Sequence, residues 1–484
     1  MVFNSLSFAL FASAVYCLFL IIPPRLRCGF LLAASYVFYS FVSLTSCAVL
    51  AAISLICFFG GKIIHKHESN PRKQLFLLWL LIAILAALLI YFKYFGLVLE
   101  QLRHFFTSLK SGRLDFLALV APIGISFYIF QGIGYLVDVY WGKRKEDNLA
   151  DFLLFMSFFP KVMLGPIERS DKLLPQIKQL NAFKFNYDQF REALLLFAWG
   201  LFKKLVVADR LSLYVNEVYS QPAENSGVRI AVATVFFAFQ LLSDFSGYTD
   251  MALGLGKLFG IKLTQNFERP YYATNIQDFW RRWHISFTSW IADYVFTPLR
   301  MNLRSLGKPG LAICLFATFL LVGAWHGTGW TFIIFGLIHG VYMTVSTFTL
   351  RAKDSFWKKQ NLLGKFWFTC ARQLVTFGLV LFTLVFFRAT SVTHALDVLK
   401  NLFRHGSFNI GLRHGLDGPE LLIAIAMIGF MEITEKLLRS DATPFSRLIA
   451  RPLWLRWPAY LTLLLAILCF GIFTNPQRFI YFAF

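Results

Sequence analysis

A histidine set among glycines and tryptophans is the feature of the sequence best suited to chemistry. His326 lies in the segment Gly323–Trp330, which joins two apolar stretches, Leu311–Val322 and Thr331–Val345. Burial there disfavours a charged imidazolium, so the ring would be neutral and able to accept a proton as a general base. The alternative is a structural histidine bonded to a carbonyl. The glycine-rich setting, with Trp325 beside the histidine, favours a functional role.

A second histidine lies in a short segment of arginines and aromatic residues. The run Asp278–Ser286 places Arg281, Arg282 and His284 among one phenylalanine and two tryptophans. Arginine binds phosphate and carboxylate groups in a bidentate manner, so the two arginines could hold a phosphate-bearing donor such as acetyl-CoA. The alternative is an aromatic and basic anchor at the membrane interface.

Two carboxylates follow an apolar helix in the segment Ser243–Asp250. An ionisable group at membrane depth is costly, so it usually faces a protein cavity and has a partner. Asp244 and Asp250 could therefore line a polar reaction chamber, where one of them could orient a histidine. The alternative, and the simpler interpretation of this segment alone, is an interfacial helix cap, because Asp, Ser and Gly are ordinary capping residues.

No metal or disulfide chemistry is indicated elsewhere in the sequence. The seven cysteines lie within or at the edges of apolar runs, with no CxxC or Cys/His ligand spacing. They are expected to pack as small apolar residues. His339 follows His326 by thirteen residues. On one continuous helix, at about 100° per residue, it would point away from His326, so a structural role is predicted.

These residues belong to a chain that its composition assigns to the membrane. Of its 484 residues, 57% are hydrophobic and only 15% are charged, which is too little charge to coat a soluble protein of this size. A spanning helix needs about 20 mostly apolar residues. Candidate segments begin near Phe8, Phe30, Ala48, Leu75, Leu117, Ala193, Ile230, Leu311, Phe332, Leu374, Leu421 and Tyr460. We therefore expect an all-α, polytopic integral membrane protein with roughly ten to thirteen spanning helices.

Some apolar segments call for a different interpretation. Asp151–Pro166 and Ile285–Leu299 are short or broken by charge, so re-entrant or surface helices are expected there. Leu6–Ile22 has no basic residue before it and no small-residue cleavage pattern after it, so we expect a first membrane helix rather than a signal peptide. No repeat, low-complexity linker or soluble domain is evident. One membrane domain over residues 1–484 is predicted, with its active-site region at about 243–340.

The excess of positive charge also fits a membrane protein. A net charge of +21 would suggest nucleic-acid binding in a soluble chain, but here the basic residues sit in short connections between apolar segments. Clusters follow the first, third and fifth predicted helices: Arg25 and Arg27; Lys62, Lys66, Arg72 and Lys73; and Lys143, Arg144 and Lys145. All three would be cytoplasmic if the N-terminus is outside. The segment Phe95–Arg113 would then lie outside, as an amphipathic helix on the membrane surface.

In combination, these blocks resemble the membrane-bound O-acyltransferase superfamily. The resemblance rests on Asp278–Trp290, Asp244–Asp250 and Trp325–Gly327. Further matching stretches cover nearly the whole chain: Pro122–Phe127, Phe158–Lys161, Gly165–Ile167, Gly200–Lys204, Asn266–Phe267 with Pro270–Tyr271, and Phe479–Phe484. Within the superfamily, the pattern most resembles the bacterial branch of alginate O-acetylation proteins, peptidoglycan O-acetyltransferases and teichoic acid D-alanyl transfer proteins.

The resemblance implies a fold, a site and a reaction. His326 matches the superfamily's near-invariant histidine, taken as catalytic, and His284 matches a second histidine near the same tunnel. The implied fold is a ring of helices around a central tunnel in the bacterial inner membrane. A cytosolic thioester such as acetyl-CoA would supply the acyl group for O-acetylation of a surface polysaccharide or peptidoglycan, with a periplasmic SGNH-type acyltransferase as partner. Because a thioester is already activated, no cofactor is expected.

Two other classes of function remain open from the sequence. One is a transporter or flippase for an envelope glycan precursor, whose intramembrane polar residues would also line a path; inverted-repeat symmetry, which is typical of many transporters, is not evident. The other is a scaffold that only anchors a secreted acyltransferase and has no need of His326.

The basic clusters predict that the loop holding Lys62–Lys73 is cytoplasmic and the N-terminus is outside. A cysteine at Ser69, in a background without the native cysteines, tests this with a membrane-impermeant thiol reagent. We expect labelling only after the cells are permeabilised. Efficient labelling of Ser69→Cys in intact cells would contradict the topology.

Overall fold

The computed structural model describes residues 1–105, 121–143, 145–406, 416–438 and 445–473, together with residues 410, 477, 479 and 480; it describes the backbone alone of residues 95–105. Several features named from the sequence lie outside these residues: Leu117, Arg144, the part of Phe95–Arg113 beyond residue 105, and most of Phe479–Phe484.

The protein is helical, and the described residues contain no β-strand. The helices are, in chain order, α1 (Leu6–Ile21), α2 (Arg27–Ser40), α3 (Leu44–Lys66), α4 (Pro71–Phe105), α5 (Ile125–Tyr140), α6 (Leu149–Ser157), α7 (Ser170–Lys178), α8 (Tyr187–Leu201), α9 (Asp209–Ser220), α10 (Gly227–Leu258), α11 (Ile276–Arg282), α12 (Ile285–Ile291), α13 (Thr297–Asn302), α14 (Gly307–His326), α15 (Trp330–Lys359), α16 (Phe366–Arg388), α17 (Val392–Leu402), α18 (Gly418–Leu438), α19 (Ser446–Ile449) and α20 (Leu453–Phe470). Two further segments, Phe202–Ala208 and Ala292–Phe296, are wound as π-helices.

Seven helices among the described residues are long and apolar enough to cross a membrane. They are Leu44–Lys66, Pro71–Tyr94, Gly227–Leu258, Arg304–His326, Trp330–Lys359, Phe366–Arg388 and Leu453–Phe470. Each contains one of the segment starts predicted from hydropathy. The all-α, multi-pass class predicted from composition is therefore confirmed.

The remaining predicted starts explain why seven is below the expected ten to thirteen. Phe8 and Phe30 lie in α1 and α2, which have only 16 and 14 residues, and Ala193 lies in α8, which passes directly into the π-helix that contains Lys203 and Lys204. Leu421 lies in α18, which has 21 residues but also contains Glu420, Glu432, Glu435 and Lys436. Hydropathy registers an apolar run but does not show where the helix within it ends. The ring arrangement and the side on which each helix emerges stay predictions.

The two segments expected to be re-entrant or surface helices do begin with short helices. The nine-residue α6 begins at Leu149, two residues before Asp151, and ends at Ser157. Within Ile285–Leu299, the seven-residue α12 passes into the π-helix and then into α13. Their depth in the membrane stays a prediction.

Internal contacts divide the chain into two compact units. The first unit contains residues 1–194 and 251–264, and the second contains residues 195–250 and 265–484. The prediction of one membrane domain stays a prediction.

Aromatic rings dominate the interior of the first unit. Phe8 and Phe159 both pack against Phe38, with ring centroids 5.6 and 5.7 Å away.

The buried ammonium group of Lys161 in the same unit donates hydrogen bonds to Gln131 and to the carbonyl of Met156, so this cation is solvated by protein oxygen atoms.

The second unit contains a tight helical hairpin formed by α14 and α15. The backbones of the two helices meet at a pair of glycines: a Cβ on Gly323 would lie 3.1 Å from Gly336 Cα, and a Cβ on Gly336 would lie 3.1 Å from Gly323 Cα. Those hypothetical Cβ atoms would also collide with the carbonyl oxygens of Phe332 and Phe319. Small residues of this kind let membrane helices pack backbone against backbone.

The glycine contact predicts a position-specific cost for added bulk. Gly336→Val should force the helices apart and destabilise the protein by about 1–3 kcal/mol, the usual cost of overpacking. Thermal unfolding of the purified protein in detergent measures the effect. Gly378→Val is the matched control, because Gly378 lies in α16 with no atom within 4 Å of its would-be Cβ. Equal melting temperatures for the two variants would contradict the packing argument.

Candidate active site

His326 is the last residue of α14, at the point where the α14–α15 hairpin turns. A Cβ at Gly327 would collide with the ring of Phe332, so a side chain directly after the histidine would require that ring to move. The His326 side chain is buried, and its ring centroid lies 5.7 Å from that of Phe335 and 5.1 Å from that of Phe387. The hairpin thus places one imidazole among aromatic rings.

His284 forms the sharp turn between α11 and α12. Its φ of +45° is left-handed, a conformation that is uncommon for residues other than glycine and is often found at functional sites. Asn266 fixes the turn by accepting two hydrogen bonds: its carbonyl oxygen binds Ile285 N–H at 2.9 Å, and its side-chain Oδ1 binds Ser286 N–H at 3.1 Å. Asn266 is itself fully buried.

The His284 ring is enclosed by aromatic side chains. Its centroid lies 4.7 Å from that of Phe245, edge-on, and 5.1 Å from that of Phe287. Burial lowers the pKa of His284 to about 3. The imidazole is therefore neutral at cellular pH, with one nitrogen that can accept a hydrogen bond and one that can donate a hydrogen bond.

One indole ring adjoins both histidines. The ring centroid of Trp325 lies 6.1 Å from that of His284 and 4.6 Å from that of His326. The indole also stacks on Phe287 at 4.2 Å, which fixes its plane. The structure therefore brings together three residues singled out from two separate stretches of sequence, although their catalytic roles stay predictions.

His326 lines a small aromatic pocket. The walls are mainly aromatic and aliphatic, and the residues that matter most for its chemistry are Tyr271, Trp280, Trp283, His326, His339 and Thr383. A pocket with such walls disfavours water and offers a bound substrate few polar groups.

His339 lines the same pocket as His326, contrary to the geometry assumed from the sequence. That expectation required one continuous helix, but the helix is interrupted here: α14 ends at His326 and α15 begins at Trp330. The glycines at 327 and 329 were the available signal for this break. His339 is buried and hydrogen-bonded to Trp280 and Thr383.

Arg281 and Arg282 lie away from the buried rings. Both donate hydrogen bonds to Asp278 Oδ1, at 2.8 and 3.0 Å. Burial alone would raise the pKa of Asp278, but the two guanidinium groups outweigh it and lower that pKa. The Arg281 side chain is 76% exposed, so its remaining donors can meet an anion at the surface. The role of this pair as a donor site stays a prediction.

Asp244 and Asp250 face two buried lysines of the π-helix Phe202–Ala208. Asp250 pairs with Lys203 at 2.8 Å, and Asp244 pairs with Lys204 at 2.7 Å. Asp244 also accepts the backbone N–H of Ile480 at 2.7 Å. These contacts favour a structural role for both carboxylates over an interfacial cap; the idea that one orients a histidine stays a prediction.

The lysine partners were not assigned a role from the sequence. Lys203 also binds Glu435 at 2.5 Å, and Lys204 also binds Asp209 at 2.9 Å, so each ammonium group joins two carboxylates. The available signal was a pair of lysines within an apolar run, a placement that demands partners in a membrane protein. The described residues contain no cluster of three side chains suited to a metal ion.

These buried pairs predict a large loss of stability when one cation is removed. Lys204→Met leaves Asp209 and Asp244 without their counter-charge, which should cost about 3–5 kcal/mol. Thermal unfolding in detergent measures it, with Lys308→Met as control because Lys308 is an exposed residue of α14. A melting temperature for Lys204→Met as high as that of the control would show that the pairs do not stabilise the fold.

Comparison with known proteins agrees with this arrangement. Residues 31–382 match the MBOAT, membrane-bound O-acyltransferase family. The chain is 34% identical to a peptidoglycan O-acetyltransferase of Helicobacter pylori over 402 residues, covering 77% of this chain and 73% of the relative. It is 33% identical to the probable alginate O-acetylase AlgI of Azotobacter vinelandii, covering 90% and 84%.

A more distant relative is named for a different activity. The chain is 29% identical to a teichoic acid D-alanyltransferase of Bacillus subtilis over 283 residues, or 57% of this chain and 71% of that one. The family match over most of the chain, and relatives above 30% identity over most of their own length, lead to one conclusion: the chain belongs to the membrane-bound O-acyltransferase family and is a multi-pass membrane enzyme that transfers acyl groups to oxygen.

Proposed function

We propose that this enzyme takes an acyl group, most simply acetyl, from a cytosolic thioester such as acetyl-CoA and passes it across the bacterial inner membrane. The acceptor is a hydroxyl of a cell-surface polysaccharide or of peptidoglycan, reached directly or through a periplasmic SGNH-type partner. Relatives that are named for alginate and peptidoglycan O-acetylation support this class of acceptor. The similarity extends over most of each relative, which supports a common architecture for those relatives and this chain.

The observation that carries the proposal is the pair of buried histidines on either side of Trp325. In the proposed reaction, the acceptor hydroxyl gives its proton to His326 as its oxygen attacks the thioester carbonyl carbon. The carbon–sulfur bond then breaks, and the proton passes from His326 to the leaving thiolate. Atoms and charge balance without a metal or redox cofactor, and we propose that none takes part.

The developing oxyanion needs a hydrogen-bond donor. His284 is a candidate, because a neutral imidazole carries one N–H and the ring is held in place by the turn at Asn266. Backbone amides near Gly327 are the second candidate. The aromatic walls around His326 would keep water from hydrolysing the thioester.

The pocket also limits the acyl group. The pocket is small and is bounded by the large rings of Trp280, Trp283, Phe335 and Phe387, which favours a short acyl chain over a long one. Exposed Arg281 and, beside it, Arg282 would attract the phosphates of the donor outside the pocket.

Turnover in proteoliposomes tests the proposal. Wild-type protein should release free CoA from radiolabelled acetyl-CoA when an O-acetylation acceptor, such as a glycan fragment or a partner protein, is supplied. His326→Ala should reduce the rate by about 10²–10⁴-fold, the usual loss when a general base is removed. His405→Ala is the matched control, since His405 is an exposed residue of the same unit.

Two outcomes would contradict the proposal. Near-normal CoA release by a folded His326→Ala variant would remove that residue from the mechanism and favour the scaffold alternative. No CoA release with any acceptor, accompanied by flux of a glycan precursor across the liposome membrane, would favour the transporter alternative.

A further inference from the structure

His339 occupies the aromatic pocket with both ring nitrogens engaged. Trp280 Nε1 donates to its Nδ1 at 3.2 Å, and its Nε2 lies 3.1 Å from Thr383 Oγ1. The Thr383 hydroxyl in turn donates to the carbonyl oxygen of Val380 at 2.7 Å. The four groups form a single chain of hydrogen bonds in the protein interior.

The groups at the two ends determine which atom donates and which accepts in each of these hydrogen bonds. An indole N–H can only donate, so Nδ1 of His339 must be the acceptor and carries no proton. The Thr383 hydroxyl already donates its hydrogen to the carbonyl oxygen of Val380. Nε2 of His339 must therefore carry a proton and donate a hydrogen bond to Thr383 Oγ1. His339 is thereby fixed as one neutral tautomer. It cannot take a substrate proton on Nδ1 without losing the bond from Trp280.

The same hydrogen bonds join the elements that surround the candidate catalytic rings. Trp280 lies on α11, four residues before His284, and Thr383 lies on α16, one helical turn before Phe387. Phe387 contacts the His326 ring at 5.1 Å. On α15, Phe335 lies between the two pocket histidines, 4.7 Å from His339 and 5.7 Å from His326.

We propose that His339 is a positioning residue for acyl transfer, holding α11 and α16 against α15 so that His284 and His326 keep the relative placement that the reaction needs. This inference rests on the proposed function but adds a residue whose contribution is geometric. His339 exchanges no proton with the substrate, and its two hydrogen bonds act as one unit with Trp280 and Thr383.

The test is a set of variants that remove or retain each hydrogen bond. His339→Asn keeps an acceptor where Nδ1 lies, and His339→Gln keeps a donor where Nε2 lies. Thr383→Val removes one partner with little change of shape, and Trp280→Phe removes the other partner's N–H together with part of the indole ring. For each variant and for His339→Ala, kcat and KM for acetyl-CoA are measured by CoA release in proteoliposomes, and the melting temperature is measured in detergent.

We expect Trp280→Phe and Thr383→Val each to lower kcat about threefold to tenfold, the equivalent of one buried hydrogen bond, with KM changed less than about twofold. His339→Asn should retain more activity than His339→Ala, and this advantage should disappear in the Trp280→Phe background. The double variant His339→Ala/Trp280→Phe should be no slower than His339→Ala, because coupled residues are not additive. The pH profile of kcat should keep its shape in His339→Asn.

Three results would overturn this role. Additive losses in the double variant would show that the residues do not act together. Lower melting temperatures with unchanged kcat would show that His339 only stabilises the fold, and loss of the acidic limb of the pH profile in His339→Asn would make it a base. A wild-type protein that releases no CoA would instead overturn the proposed function, and this role with it.

Discussion

The close approach of α14 and α15 at Gly323 and Gly336 is the constraint on which the candidate site depends. Because neither glycine has a side chain, the two helices pack backbone against backbone at that point and form a hairpin with a short turn. The turn fixes His326 at the end of α14, and Gly327 leaves space for the ring of Phe332 beside it. A wider hairpin would move His326 away from the rings of Phe335 and Phe387.

A second constraint is the cost of polar groups in an apolar interior. The lysines of the π-helix Phe202–Ala208 each bind two carboxylates, and the buried imidazole of His339 is satisfied at both nitrogens. Buried charges and rings of this kind need partners, and here the partners also fix neighbouring helices to one another. His284 is held differently, by two backbone hydrogen bonds from the turn around it to Asn266.

How much of this could be predicted from the sequence depends on the distance over which each signal acts. Hydropathy is local, so the long apolar helices of the described residues and the helical class were predictable, whereas the early ends of α1 and α2 were not. The residue types of His284, Trp325 and His326 marked them as candidates. The placement of both histidines beside the Trp325 indole, however, depends on contacts between residues about 40 positions apart. His339 was misplaced geometrically because a helix continuing past Gly327 was assumed.

The proposed function requires acyl transfer in the aromatic pocket beside His326. A cryo-electron microscopy structure with acetonyl-CoA, in which a methylene separates the carbonyl from the sulfur and prevents transfer, tests this location. We expect the acetonyl carbonyl inside the pocket, placed so that an attacking oxygen could lie about 3 Å from both the carbonyl carbon and the His326 ring. An analogue bound with its carbonyl outside this pocket, remote from both His326 and His284, would exclude the pocket as the place of transfer.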